Sequence, residues 1–116
     1  MIKLASRELL GKVALPCKKG FYYFKITDIV YFQSEGNFCL CYFTNGTKHL
    51  INLLLKDVEG RLVKQCFCRI HHVYLINLYH LEQFKKEGGN YVHLSGGIEL
   101  PVSRAKKNSL IKMVGI

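Results

Sequence analysis

This chain of 116 residues has few acidic side chains and no long apolar run. Asp and Glu number 8 against 17 Lys and Arg, which gives a formal net charge of +9. No apolar run approaches the roughly 20 residues that a transmembrane helix needs, so we expect a soluble protein. The residues from 101 to the end include four cations and no acid. This surplus of cationic side chains predicts a polyanionic partner, and nucleic acid is favoured over an anionic membrane surface.

Cysteine is present in an odd number, at Cys17, Cys39, Cys41, Cys66 and Cys68. With no signal peptide ahead of them, reduced cytosolic thiols are the simplest interpretation. A single residue separates the members of each close pair, whereas structural zinc sites favour wider spacing. We therefore expect small buried apolar side chains, with no metal and no cofactor.

The chain reads as one domain of many short strands, residues 13–116, after a lead of residues 1–12 that is amphipathic over residues 4–10. Short alternating or apolar runs are separated by Gly, Asn and Lys, the pattern of a mostly β protein. About ten strands in packed antiparallel sheets are predicted. They cover residues 13–17, 21–25, 29–33, 38–43, a strand ending near 51, then 67–69, 74–76, 81–86, 91–94 and 98–101.

Two helices and several turns complete the predicted order. Apolar residues recur at helical spacing from 54 to 62, with Asn52 placed to cap a helix that reaches about residue 63. A second helix is expected over residues 104–113. The Asn45-Gly46 pair favours a hairpin with a type I′ turn, and Gly36 in the turn of residues 34–37 accepts a positive φ.

Residues 67–77 contain cations and potential hydrogen-bond donors between two apolar strands, as expected for a loop that contacts a partner. We expect one of His71 and His72 to pack and His72 to point outward, where it would contact a base edge in the major groove; the alternative is a histidine satisfied by backbone groups. Arg69 would contact a phosphate or guanine. Its alternative is an ion pair with one of three acids, Glu82, Glu87 or Glu99.

The segment after the last predicted strand carries three cations, Arg104, Lys106 and Lys107. Ser103 is a favourable N-cap, so these cations fall in the first helical turn, where the macrodipole disfavours them by ~0.3–1 kcal/mol. A DNA phosphate at the helix N-terminus would offset that cost. The alternative is a solvated positive face.

The positions of other polar and aromatic residues in turns and strands indicate their roles. Asn37, after Gly36, either presents its amide to DNA or serves ordinary turn chemistry. Asn77 is expected to satisfy backbone groups within the fold. Six strand aromatics are expected in the core rather than as stacking platforms for bases: Phe21, Tyr22, Tyr23, Phe24, Tyr31 and Phe32.

Several blocks of this sequence together resemble the LytTR family of bacterial DNA-binding domains. They are IVYFQSEGNF (29–38), LKDVE (55–59) with Leu62, FCRIHH (67–72), LIN (75–77) and LPVSR (100–104). The resemblance implies a mostly β fold with one or two short helices, whose loops enter successive major grooves. It implies DNA contacts at Asn37, Arg69, His71, His72, Ser103, Arg104, Lys106 and Lys107.

Two departures from the family pattern affect what is expected. Members often have Asn or Ser after the histidine of the Arg-x-His block, where this chain has His72 and then Val73. Many members also follow a receiver domain, for which the residues before Val13 are too few. A stand-alone regulator and the output module of a longer response regulator both fit.

The predicted function is a cytoplasmic, sequence-specific regulator of transcription that binds double-stranded DNA, within a two-component system. The family further implies homodimers on tandem half-sites and an upstream receiver domain or sensor kinase. The alternative is a β-module for RNA or single-stranded nucleic acid, which requires aromatics exposed along a strand face. An enzyme using Cys66 or Cys68 with His71 or His72 is disfavoured, because no acid lies nearby to orient the histidine.

Overall fold

The computed structural model describes residues 11–62 and 65–115, and within them the mostly β prediction is confirmed. Ten strands and two helices follow one another, joined in places by short 3-10 turns. In chain order they are β1 (Lys12–Cys17), β2 (Gly20–Lys25), β3 (Ile29–Glu35), β4 (Phe38–Phe43), β5 (Lys48–Ile51), α1 (Leu55–Arg61), β6 (Phe67–His71), β7 (Tyr74–Asn77), β8 (Leu81–Lys85), β9 (Tyr91–Leu94), β10 (Ile98–Pro101) and α2 (Arg104–Val114). The amphipathic lead of residues 4–10 lies outside the described residues.

The strands form three antiparallel sheets arranged as layers. The central sheet has the order β5-β4-β3-β7-β6, with a β1-β2 hairpin and a β10-β9-β8 sheet beside it. Apolar residues of β1 and α1 pack on one face of the central sheet. Those of β9, β10 and α2 pack on the other. Both faces of the central sheet are therefore buried, and its loops lie at the two ends of its strands.

Strand β3 contributes to both cores because its pairing with β4 is irregular. The register shifts between Ile29 and Tyr31. Ile29 and Phe32 belong to the first apolar cluster, while Val30 and Tyr31 belong to the second. A bulge of this kind breaks the alternation of side chains along a strand. It explains why the adjacent residues Val30 and Tyr31 lie on the same face. Because both faces of the sheet are covered, all four residues are buried.

Helix α1 begins later than predicted, and Asn52 does not cap it. Leu54 occupies the N-cap position and makes no side-chain cap hydrogen bond. The backbone N–H of Asn52 instead donates to the Pro16 carbonyl at 2.9 Å. This bond ties the loop before α1 to strand β1, which is a long-range role that helical periodicity does not reveal.

The hairpin at Asn45-Gly46 is confirmed, but the type I′ geometry is not. The N–H of Gly46 donates to the Phe43 carbonyl at 3.0 Å, so the turn runs from Phe43 to Gly46. Gly46, with φ +86°, ends this turn instead of lying at its centre. The Asn45 side chain accepts from the Thr47 N–H at 3.0 Å and braces the loop.

Burial corrects two of the predictions. Phe21, Tyr22 and Tyr23 were expected in the core, yet they are 60%, 48% and 65% exposed. They lie on β2, the outer strand of a two-stranded sheet. Phe21 and Tyr23 are on the face that the central sheet does not cover, whereas Tyr22 is on the other face, where it packs against the rings of Phe24 and His49 and stays half exposed. Cys66 is exposed because it precedes β6, whereas Cys39, Cys41 and Cys68 are buried as predicted.

Neither α1 nor α2, the helices of the described part of the chain, is long and apolar enough to cross a membrane.

Candidate nucleic-acid interface

The structure brings three predicted segments together at one end of the central sheet. They are the β3–β4 turn with Asn37, the β6–β7 turn with His72, and the N-terminus of α2. The N–H of Ser34 donates to the Val73 carbonyl at 2.8 Å, which joins the two turns. The N–H of Ser103 donates to the Ile70 carbonyl at 2.8 Å, which joins α2 to β6. We call this end of the sheet the loop edge.

The order of strands sets the spacing along the loop edge. From one side to the other it runs β4, β3, β7, β6 and then α2, which packs on β6. Neighbouring strands lie ~4.8 Å apart, so the centres of the two turns are separated by about 10 Å. Sheet geometry therefore holds the two turns and the N-terminus of α2 in a row.

The β3–β4 turn exposes Asn37 at its tip. Gly36 has φ +63°, a left-handed conformation that glycine adopts without a steric penalty. Asn37 follows it and is exposed, just before β4 begins at Phe38. The amide is therefore available to a partner approaching the loop edge.

Arg69 holds the β6–β7 turn in place with its whole guanidinium group. Its Nε donates to the His71 carbonyl at 2.8 Å, and one terminal nitrogen donates to the His72 carbonyl. The other terminal nitrogen forms an ion pair with Glu59 of α1 at 2.8 Å. The predicted alternative partners, Glu82, Glu87 and Glu99, are therefore wrong. Only 17% of the Arg69 side chain is exposed.

Glu59 is a residue that sequence reasoning missed in this site. It lies ten positions before Arg69 and on a different element, so no local spacing relates the two. The ion pair connects α1 to the loop edge through the β6–β7 turn. Only the helical spacing of α1, which determines which of its residues face β6, could have indicated this contact.

The two histidines of the turn occupy different environments, and His72 points outward as predicted. Their rings stack with centroids 4.7 Å apart. His71 is half-buried, and its Nδ1 accepts from the Val73 N–H at 3.3 Å, whereas His72 is exposed. Burial lowers the pKa of His71, and the nearby charges of His72 and Arg69 lower it further. His71 therefore supports the turn as a neutral ring.

Helix α2 begins as predicted, with Ser103 as its N-cap. The Ser103 hydroxyl accepts from the Lys106 N–H at 3.2 Å. Its first turn contains no acid. Arg104 is exposed, while Lys106 and Lys107 are half-buried. The helix thus presents cations and its N-terminal N–H groups together, an arrangement suited to an anion.

Asn77 satisfies backbone groups, as predicted. Its Nδ2 donates to the carbonyls of Ile26 and Ile29 at 3.0 and 2.8 Å. Its Oδ1 accepts from the Tyr79 N–H at 3.1 Å. With 1% of its surface exposed, it is a structural residue that connects β7 to the start of β3.

The buried cysteines are poor nucleophiles. Burial raises the pKa of Cys39 to about 11 and that of Cys41 well above its usual value. The pKa of Cys68 is also raised, mainly by burial. Thiols in such surroundings remain protonated and unreactive. In residues 11–62 and 65–115, no group of three or more His, Cys, Asp or Glu side chains is arranged to hold a metal ion.

Comparison with known proteins gives one family and one fold. The sequence model of the LytTr DNA-binding domain matches residues 19–115. A solved structure from Bacillus cereus, described as the LytTr DNA-binding domain of a methyl-accepting/DNA response regulator, superimposes with a TM-score of 0.76 at 18% identity. The alignment covers 91% of this chain and 98% of that one. No curated protein matches the sequence at a significant level.

Proposed function

Because the chain belongs to the LytTR family of DNA-binding domains, we propose that it is the output domain of a bacterial transcription regulator that reads specific duplex sites. The observation that carries this proposal is the loop edge. Three segments far apart in sequence are joined there by backbone hydrogen bonds. The major groove admits a two-stranded β-ribbon, and each of the two turns joins such a pair of strands.

We propose that α2 positions the domain on the DNA backbone. Arg104, Lys106 and Lys107 surround an N-terminus capped by Ser103, and no acid competes with a phosphate in that turn. Contacts of this type fix register and orientation but carry no base sequence information. They contribute most of the salt-dependent affinity.

Base recognition is assigned to the two turns. His72 is exposed, and its imidazole either donates or accepts at a base edge in the major groove. His71 stacks against it at 4.7 Å and restricts its orientation. Asn37, about 10 Å along the edge, offers an amide suited to the N6 and N7 atoms of adenine.

For Arg69 the geometry favours a positioning role over the phosphate contact expected from sequence. Two of its nitrogens are bonded to turn carbonyls and the third to Glu59. Its charge still adds to the positive potential of the loop edge. A direct phosphate contact by Arg69 stays a prediction. The salt dependence of duplex binding by an Arg69 variant separates the two roles.

The regulator is proposed to act in the cytoplasm, where its duplex target lies, with no catalytic step of its own. Pairs of domains on tandem half-sites would multiply the loop-edge contacts. A receiver domain or sensor kinase would supply the signal. Analytical ultracentrifugation with one and two copies of the selected site tests the pairing.

The experiment that tests this function begins with selection of duplexes from a random-sequence pool. Binding of the selected site is then titrated over a range of salt for wild type, Arg104→Ala and His72→Ala. Lys112→Ala is the matched control, because Lys112 is an exposed cation at the other end of the same helix.

Arg104→Ala is expected to weaken all duplexes alike and to reduce the salt slope by about one. His72→Ala is expected to cost ~1–3 kcal/mol, chiefly on the selected site. Lys112→Ala should resemble wild type. Failure to enrich any duplex, or equal losses for Arg104→Ala and Lys112→Ala, would contradict the proposal.

A further inference from the structure

The outer face of the β1–β2 hairpin carries two aromatic rings that the core does not use. The antiparallel register groups six residues on this face: Lys12, Ala14 and Pro16 of β1 with Phe21, Tyr23 and Lys25 of β2. The inner face contains Val13 and Leu15, which are fully buried. Phe21 and Tyr23 therefore point away from the domain, and we call this surface the hairpin face.

Charge on the hairpin is of one sign. Residues 11–25 contain four lysines and no acid; they are Lys12, Lys18, Lys19 and Lys25. All four are exposed. Such a field repels a second copy of a chain with a net charge of +9 and attracts a polyanion.

The spacing of the two rings suits unpaired bases. Phe21 and Tyr23 are two residues apart on one strand, which places their Cα atoms about 7 Å apart. Their cross-strand partners, Pro16 and Ala14, are small enough to leave the ring faces accessible. Bases of a duplex are already stacked on one another, whereas those of a single strand stack readily on protein aromatics.

A cleft lies beside Tyr23, on the side of the hairpin that faces the central sheet, where Phe24 and Phe43 also line it. It has a volume of about 540 Å³ and lies between the hairpin and the β4–β5 turn. Lys12 and Lys25 line it together with Asn45 and His49, and Asp28 is its one acid. The volume is in the range of small-molecule sites, ~300–1,000 Å³. There is room for a nucleotide next to the exposed ring.

The hairpin face and α2 lie on opposite sides of the central sheet. Strand β1 packs with α1 on one face of that sheet, whereas α2 packs on the other. The hairpin runs beside β5, at the opposite edge of the sheet from β6, against which α2 packs. Its tip points to the same end of the sheet as the loop edge, because the Pro16 carbonyl accepts from the N–H of Asn52, which follows β5. A ligand on the hairpin face therefore leaves the α2 part of the loop edge accessible to a duplex.

We propose that the hairpin face binds single-stranded nucleic acid, with Phe21 and Tyr23 stacking on successive bases and the surrounding lysines contacting phosphates. This second site goes beyond duplex recognition by the loop edge. Exposed aromatics along a basic strand are the feature that such binding requires. A regulator with both sites would hold a displaced strand or a transcript beside its duplex.

The test measures fluorescence anisotropy of short labelled oligothymidylate and oligouridylate with the full chain. Phe21→Leu/Tyr23→Leu removes both rings while keeping apolar side chains. Tyr79→Leu is the matched control, since Tyr79 is 69% exposed on a different element. The double variant should lose about 10-fold or more in single-strand affinity, with an unchanged melting temperature and unchanged duplex binding. Tyr79→Leu should bind like wild type.

Two further variants separate this site from the loop edge. Arg104→Ala should leave single-strand binding intact, whereas Lys12→Gln/Lys25→Gln should make its salt dependence shallower. The proposal is overturned if the double aromatic variant stays within about twofold of wild type. It is equally overturned if Arg104→Ala abolishes single-strand binding, or if an acidic polyglutamate peptide binds the hairpin face more tightly than either oligonucleotide. The tighter of the two oligonucleotides identifies the natural strand as DNA or RNA.

Discussion

Replacement of Arg69 by Met is expected to loosen the β6–β7 turn and with it the recognition of bases. The substitution keeps an unbranched apolar stem but removes all donors to the carbonyls of His71 and His72 and to Glu59. Hydrogen bonds from a charged group contribute ~1.5–3 kcal/mol each when well protected. The carbonyls regain water in this half-open turn, so about 1 kcal/mol for each is a fair value.

The ion pair contributes less than the two carbonyl bonds. Glu59 is 44% exposed, and solvent-exposed pairs contribute ~0.2–1 kcal/mol. We therefore expect Arg69→Met to reduce the free energy of unfolding by about 2–3 kcal/mol and Glu59→Gln to reduce it by about 0.5 kcal/mol. Domains are typically stable by ~5–15 kcal/mol, so both variants should fold.

Urea denaturation followed by circular dichroism measures both losses, and salt titration of the selected duplex measures the functional effect. If Arg69 positions the turn, Arg69→Met lowers specific affinity while the salt slope stays near that of wild type. A slope reduced by about one identifies a phosphate contact instead. Equal destabilisation by Arg69→Met and Glu59→Gln, or a loss below about 0.5 kcal/mol for Arg69→Met, would refute the reasoning.

Three other perturbations test separate parts of the structure. Asn77→Ala removes the side-chain donor to the Ile26 and Ile29 carbonyls and the acceptor for the Tyr79 N–H, and it should cost about 2–4 kcal/mol in urea denaturation. A loss no larger than that of the exposed-site control Asn45→Ala would contradict this. Ser103→Asp retains an N-cap and adds a charge that is favourable for the helix dipole, so the melting temperature should hold or rise while duplex affinity falls. A change of melting temperature and duplex affinity in the same direction would disprove a phosphate site at α2. Because the folded-state pKa of His71 is lowered, the unfolded chain binds more protons below its pKa of ~6.5, and stability should fall as pH drops from that value towards the folded-state pKa. His71→Gln should flatten that decline, and an unchanged pH profile would show that His71 does not cause it.

The positions of the strands along the chain were predictable because the strands are short and separated by Gly and Asn. Strands β4, β9 and β10 begin and end where alternation placed them, and Ser103 caps α2 as predicted. Side-chain exposure was harder to predict. Phe21 and Tyr23 have the residue types of a core strand, and only the topology reveals that β2 is an outer strand with one uncovered face.

Long-range partners were the other part that the sequence did not reveal. The ion pair of Arg69 and Glu59 joins two elements whose facing residues depend on the packed fold. Asn52 was expected to cap α1, but its backbone N–H bonds to β1 instead. The three segments of the proposed site were predicted because each interrupts an apolar pattern. These segments lie close together at the loop edge because β3 pairs with β7, which is a contact between distant parts of the chain.

The pairing of β3 with β7 fixes the distances along the loop edge. The backbone hydrogen bonds of Ser34 and Ser103 hold the two turns and the N-terminus of α2 in place relative to one another. In the proposed complex, a mismatch between this fixed spacing and the major groove would deform the DNA, since a duplex bends at a cost of a few kcal/mol while a hydrogen-bonded sheet does not stretch. Bases that no side chain touches would then affect affinity through the flexibility of their steps.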